Sequence, residues 1–411
     1  MKRIIVLLLA LMLFLCGCDS AAAENRGETL GLANADDCVD LEEGLFDDGN
    51  DDGFFIGSWL SYIELMEKNC DGGEESYASY IGKIADNLKK AGVTDLFVQV
   101  RPFCDAIYPS KLAVSSHCVA STQGEKLKFD YFSVIIEEAK KRDIKVHAWI
   151  NPFRVQTEFD LDKLSDENIA KKWYMEKSDN VKEAAGGLYL CPASVEVQHL
   201  IIDVVREILE NYDVAGIHID DYFYPTTDES FDKAFYEKYK SENGKLSLLK
   251  WRRENVSALV SGIYSAVKTF GEDKIFSISP CADTDKNENE LYADVKLWAG
   301  QSGYCDMIIP QIYFGFENES KPFEDCALSW QKITVDTKLV LGLALYKSGK
   351  EDSFAGSGKD EWQKNCDVIK RQAEFAKQNN FCGVCLYSAS FVNFNETSSG
   401  KETKNFCDVV L

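Results

Sequence analysis

Two adjacent carboxylates, Asp220 and Asp221, close the apolar run of GIHIDDYFYP (216–225), and the aromatics Tyr222, Phe223 and Tyr224 follow at once. Charge at the end of a buried strand is costly unless it is paired or used. Glycoside hydrolysis is one such use. It needs one carboxyl group protonated to help the leaving oxygen depart, and another ionised to attack the anomeric carbon or activate water. Asp220 shares the side-chain parity of His218 and so faces inward with it, which makes it the candidate nucleophile or general base. Asp221 breaks the alternation, but the chain turns into a loop there, so it is carried as a catalytic or substrate-binding acid against the plainer reading of a turn-capping Asp. Adjacent strand residues rarely straddle a sugar bond at the ~5 Å or ~6.5–9.5 Å separations that such mechanisms use. A partner from another strand end is therefore expected. Asp283 in SPCADTD, Glu317 in YFGFEN and Asp105 after strand two are ranked in that order, against the alternative that all three are solvated loop acids.

The elements that must position these groups are legible as eight short apolar or aromatic runs: 54–61, 95–102, 145–152, 216–223, 274–280, 306–314, 338–346 and 381–388. Helix-period segments such as YIGKIADNLKKAG and VEVQHLIIDVVREILENY lie between most of them. Strand followed by helix, eight times, argues α/β class and a (β/α)8 TIM barrel with long loops over an open doubly wound sheet. Neither GxGxxG nor GxxxxGK[ST] follows any of these runs, which disfavours nucleotide binding. Period two then sorts the inward set. Arg101, His147, Trp149, Asn151, His218, Tyr222, Gln311 and Tyr313 gather toward the C-terminal strand ends, the face on which barrel enzymes place their sites. With Asp105 and Tyr224 they are the candidate substrate-binding residues. Each also has a structural reading: Arg101 as a barrel-mouth ion pair with Asp220 or Asp105, the two histidines as hydrogen-bonded lining, the aromatics as packing.

Formal net charge is −23, so nucleic acid and anionic headgroups are disfavoured partners and a neutral or cationic substrate fits better. The chain opens Met-Lys-Arg and IIVLLLALMLFL, an export signal too short for an ordinary membrane span. Leu15-Cys16-Gly17-Cys18 has the form of a lipoprotein signal with lipidation at Cys18, against a plain secretory signal with incidental cysteines. Residues 19–52 are acidic and poor in apolar side chains, the composition of a solvated tether; residues 53–411 are left for the barrel. The expected location is outside the cytoplasmic membrane, held by lipid. Beyond Cys16 and Cys18, twelve of the 14 cysteines remain, an even number that invites a disulfide reading in an exported chain. Several sit in strand-like runs, where cysteine is simply a small hydrophobe. With four histidines and no strand-end His pair, no metal site is read, which also weighs against a metal-dependent deacetylase or amidase. Oligomeric state is not readable.

VQVRPFCDAIYPSK (98–111), TQG (122–124), HAWINPFRV (147–155), YDVAGIHIDDYFYP (212–225), WRRENV (251–256), ISP (278–280) and PQIYF (310–314) together resemble the glycosyl hydrolase-like family 10 of bacterial envelope lipoproteins. The resemblance runs in order from about residue 54 to the C-terminus. It implies a glycoside-hydrolase-like barrel on an exported, anchored protein and, for some members, action on peptidoglycan glycan strands. There are two departures: Cys104 stands where glycine is expected before Asp105, and LCPAS (190–194) where members read more like LNPGN. VAGIHID is also similar to the strand-four segment of α-amylase-type barrels, whose matching aspartate is the nucleophile; this falls on Asp220. The chitinase-type pattern DxxDxDxE, aligned on Gly216, puts its acid glutamate at Tyr222, which disfavours that route.

The sequence thus points to a lipid-anchored glycoside hydrolase acting on a cell-envelope or extracellular polysaccharide, with no metal or organic cofactor implied. A carbohydrate-binding lipoprotein that keeps the cup without turnover is the alternative, since fold does not guarantee chemistry. A partner carboxyl within reach of Asp220 separates the two.

Overall fold

Eight parallel strands close on themselves, each feeding a helix or loop that returns over the outside. The computed structural model describes residues 53–67 and 72–411; the signal segment, Cys18 and the tether lie outside the described residues. In chain order, β1 (Phe55–Leu60), β2 (Asp95–Arg101) and β3 (Lys145–Ile150) are followed by three short strands, β4 (Arg154–Gln156), β5 (Val181–Ala184) and β6 (Gly187–Leu190). Then come β7 (Gly216–Ile219), β8 (Ile275–Ile278), β9 (Met307–Ile308), β10 (Lys338–Leu343) and β11 (Gly383–Tyr387). The barrel runs β1-β2-β3-β7-β8-β9-β10-β11 and back to β1, and β4–β6 form a separate antiparallel sheet inserted after β3. All eight expected runs contain a barrel strand.

Alternation along the strands builds two cores. Outward residues such as Leu96, Val98, Val146, Ala148, Ile217 and Ile219 pack beneath the helices in one large cluster. Inward residues Trp59, Phe97, Trp149, Met307, Ile309, Val340 and Cys385 fill the barrel itself, so it is a packed plug under the mouth and not a pore. At the start of β7, a Cβ on Gly216 would lie 1.9 Å from the carbonyl oxygen of Ile275, so only glycine permits the β7–β8 approach. Helix starts are fixed by side chains: Asp130 accepts from the N–H groups of Phe132 and Ser133, and Ser194 from that of Val197. Ser194 belongs to LCPAS, so that departure keeps a capping residue at the helix start. None of the ten described cysteines beyond Cys70 is in a disulfide, and five of them are buried as small apolar side chains.

The segment after β7, which carries both central carboxylates, is anchored from below. Arg252, in WRRENV, donates from Nε and Nη2 to the two Asp232 oxygens at 2.8 and 2.7 Å, both side chains fully buried. The same guanidinium donates to the carbonyls of Thr227 and Asp228 and to the Tyr292 hydroxyl. Tyr224 packs here, 5.2 Å from the Arg252 guanidinium and 5.0 Å from the Tyr292 ring. It is therefore a buried strut of the loop, which corrects its assignment as a substrate-binding residue. Breaking a buried pair from one side strands a charge. Asp232→Ala should cost about 3–5 kcal/mol in denaturant unfolding; a loss below about 1 kcal/mol, the range of surface pairs, would contradict this anchoring.

Candidate active site

β7 ends at Ile219, so Asp220 and Asp221 stand just past the last ladder residue, where strict alternation no longer applies. They diverge. Asp220 turns toward β3: Trp149 Nε1 donates to Oδ2 at 3.1 Å, Asn151 Nδ2 to both oxygens at 3.0 Å, and the Tyr222 N–H to Oδ1 at 3.4 Å. Asp221 turns the other way and accepts from the side chain of Gln311, which also donates to the Ser279 carbonyl at 2.9 Å. Two carboxyls adjacent in the chain are thus held by opposite sides of the mouth.

Burial dominates their electrostatics. Asp220, 2 % exposed, is pushed up to about 7 by desolvation, opposed by the nearby Arg154 charge and reinforced by Asp221. Asp221 is also raised, first by burial, with the Gln311 bond opposing. Tyr222, 40 % exposed, offers the open aromatic face of the cup, and the half-buried Tyr313 joins Tyr346 and Tyr387 in a cluster with ring centroids 5.7–5.9 Å apart. By contrast, Phe153, Phe223 and Tyr224 are buried packing residues. A cleft of about 840 Å³ opens beside the cup rather than over Asp220, lined among others by Phe103, His117, Gln123 and Gln156. Phe103 joins the two: its ring lies 4.7 Å from the Arg154 guanidinium.

Several expected site residues are placed elsewhere. Arg101 meets no carboxylate: a register shift at the end of β2 leaves its Nη1 donating to the Asn151 carbonyl at 2.6 Å and its Nη2 to Cys104 Sγ at 3.2 Å. Arg154 answers from the other side, Nε donating to the Pro102 carbonyl at 3.1 Å while its N–H donates to Asn151 Oδ1 at 3.1 Å. The loops after β2 and β3 are cross-braced, and the braced residue is Asn151, which holds Asp220. Asp105 is fully buried and accepts from the Phe103 N–H at 3.2 Å and Gln123 Nε2 at 3.1 Å, with His117 Nδ1 at 3.6 Å. It fastens the TQG segment and has no hydrogen bond or ion pair with Asp220 or Asp221 among the described residues. Cys104 has φ +55°, the left-handed region that explains why glycine is expected there.

The two histidines are lining. His147 lies deep in the barrel, its Nε2 2.8 Å from Asp95 Oδ1 at the far end of β2. His218 is wholly buried; Trp59 Nε1 donates to its Nε2 at 3.0 Å, so its Nδ1–H donates to Ser277 Oγ at 2.8 Å. Burial, then the neighbouring His147, holds it well below the ordinary range, and it stays a neutral prop beneath the cup. Asp283 caps the helix Thr284–Asn289 through the Lys286 N–H and pairs with Lys321. Burial works to raise it, but those partners hold its carboxyl below the usual range, so it is ionised and unsuited to donate a proton. Glu317 is exposed, and its carboxylate has no hydrogen bond or ion pair with Asp220 or Asp221 among the described residues. What acts on Asp220 instead is Asp221 and Arg154, the latter not singled out by sequence reasoning. Arg154 sat in the quoted NPFRV, but beyond the parity of β3.

The family described as "Glycosyl hydrolase-like 10" matches residues 74–356. "Glycosyl hydrolase YngK" of Bacillus subtilis is 31 % identical over 344 residues, covering 79 % of this chain and 66 % of that protein, so the chain spans just under two thirds of that relative. "Glycosyl hydrolase DigH" of Escherichia coli K12 is 28 % identical over 341 residues, 76 % of this chain and 75 % of that one. Among solved structures, the PgaB (BpsB) glycoside hydrolase domain from Bordetella bronchiseptica superposes with TM-score 0.59 at 11 % identity, covering 87 % and 99 % of the two chains. The catalytic domain of β-amylase from Paenibacillus polymyxa does so with TM-score 0.53, again at 11 %, covering 87 % and 98 %. At such identity these likenesses concern the fold.

Asp220's folded value, about 7, lies above its ordinary 3.8. Its contribution to stability is therefore fully present below about pH 4 and lost as pH rises through 7. Because Asp220 and Asp221 titrate as a pair, the stability of Asp220→Asn relative to the parent should climb between pH 4 and pH 7–8 and then level off, read from denaturant melts. A flat difference would mean that Asp220 is not buried as described.

Proposed function

The chain belongs to the glycosyl hydrolase-like 10 family, and we propose that it is a glycoside hydrolase cleaving the O-glycosyl bonds of a cell-envelope or extracellular polysaccharide, peptidoglycan glycan strands among the candidates. The observation that carries this is the divergent pair: two carboxyls at the C-terminal mouth, both raised, held by β3 on one side and by Gln311 on the other. Among the described residues, none of Asp105, Asp283 and Glu317 is bonded to Asp220 as the partner expected from another strand end; it is the divergence of Asp221 from Asp220 that favours a hydrolase over a binding protein.

In this reading Asp220, whose oxygens only accept hydrogen bonds, is nucleophile or general base. The N–H groups of Trp149, Asn151 and Tyr222 stabilise its ionised form. Asp221 is the proton donor. In that role it replaces Asp283, held ionised by Lys321, and Glu317, which is exposed and has no hydrogen bond or ion pair with Asp220 or Asp221 among the described residues. Like charge keeps one proton on the pair near neutrality, and this proton passes to the leaving oxygen as the bond to the anomeric carbon breaks. Tyr222 and Tyr313 supply aromatic faces for sugar rings, Gln311 orients Asp221, and the neighbouring cleft takes flanking sugars. Export and anchorage through Cys18 belong to the same proposal; fatty-acid labelling that survives Cys18→Ser would refute the anchor.

Release of new reducing ends from peptide-free wall glycan and from a panel of extracellular polysaccharides tests the activity. Asp220→Asn and Asp221→Asn should each lower turnover by about 10²–10⁴-fold. In the parent, kcat/KM should fall as pH rises past about 7, where the pair loses its last proton. Undiminished turnover in Asp220→Asn would remove it from this role.

A further inference from the structure

Three buried arginines lie near the C-terminal mouth, and they are used differently. Arg252 is closed off by both oxygens of Asp232; Arg101 gives its two terminal nitrogens to two carbonyls and a sulfur, its Nε being sealed from solvent. Arg154, 2 % exposed, spends its Nε on the Pro102 carbonyl, while Nη1 and Nη2 have no hydrogen-bond or ion-pair partner among the described residues. Neither nitrogen is sealed from solvent. The faces of the guanidinium are covered by aromatic rings, Tyr222 at 4.4 Å, Phe103 at 4.7 Å and Tyr62 at 5.6 Å from its central carbon. Its central carbon lies over these rings, and its two-nitrogen edge carries no hydrogen bond among the described residues. It lies close enough to Asp220 and Asp221 to act on both, yet forms a salt bridge with neither.

A buried cation without a carboxylate is costly, and its retention calls for a use. A stacked guanidinium with a free edge has the geometry that binds a carboxylate through two parallel hydrogen bonds. We infer that Arg154 recognises a carboxylate carried by the sugar bound beside Asp220, so that the glycan taken by this cup is acidic at that position. The inference rests on the glycoside reading above and names its substrate class. It revises the expectation of a neutral substrate, which followed from total charge. Surface carboxylates beyond about 8 Å are screened at physiological ionic strength, whereas a desolvated guanidinium in the cup is not.

Carboxylates on glycans come as lactyl ethers in wall glycan or as uronic acids in extracellular polysaccharides. The test uses both: calorimetric titration of the purified protein with peptide-free wall glycan fragments and with oligouronates, each beside its carboxyl-reduced counterpart. The parent should bind one acidic ligand about 10- to 100-fold more tightly than its reduced form, and the arm in which it does so identifies the source. Arg154→Gln should abolish that preference while leaving the affinity for the reduced ligand within about threefold, and Arg154→Lys, which keeps charge but loses the fork, should fall between. Equal binding of acidic and reduced ligands by the parent overturns the inference and leaves the glycan site standing. Binding of neither ligand overturns both. An equal loss on both ligands in Arg154→Gln would reduce Arg154 to a brace of the loop. The parent comparison alone decides the matter should the variants fail to fold.

Discussion

Desolvation of one carboxyl organises the mouth of this barrel. Asp220 sits past the last rung of β7 with almost no access to water, and an ionised carboxylate there is tolerable only because donors are aimed at it. Those donors are themselves fixed. The indole of Trp149 belongs to the packed interior, and Asn151 is held by the reciprocal grip of Arg101 and Arg154 on each other's loops. Below, the plug of Trp59, Phe97 and neutral His218 forms an unyielding floor. From outside, the Asp232–Arg252 pair pins the segment that leaves the site. Remove Trp149 or Asn151 and the carboxyl loses its orientation before it loses its burial.

This arrangement explains why so many polar residues in the recognisable motifs bond to other side chains of the framework. Gln123 of TQG is tied to Asp105, Arg252 of WRRENV to Asp232, and Ser279 of ISP lies 3.0 Å from His218 Nε2. They are the supports of a few working groups. The Cys104 thiol, in a backbone conformation suited to glycine, caps Arg101 and so joins the same framework.

The barrel was legible because period-two alternation and eight strand-helix repeats are strong signals; even the weakest strand, β9, lies inside its expected run, shortened where Pro310 can donate no ladder bond. The β4–β6 sheet was not legible, since runs of three and four residues carry no usable period. In the site, parity placed Asp220, Trp149 and Asn151 together. It failed for Arg101, where a register shift breaks the alternation, and for the depth of His147, because parity gives the face of a strand but not the height along it. Arg154 and Asp221 stand beyond the ends of the barrel strands β3 and β7, where side-chain direction is set by tertiary contacts. Trp59 was passed over as apolar, although its indole N–H is the polar handle that fixes the His218 tautomer.

The central claim is that the Asp220–Asp221 pair retains a proton near neutrality. Carbon-13 NMR titration of the aspartate side-chain carboxyl carbons, assigned by comparison with Asp220→Asn, tests it most directly. A carboxyl titration near pH 7 that is lost or moves to lower pH in the variant is the expected result. Both carboxyls titrating together near pH 4, as ordinary exposed aspartates do, would contradict the account.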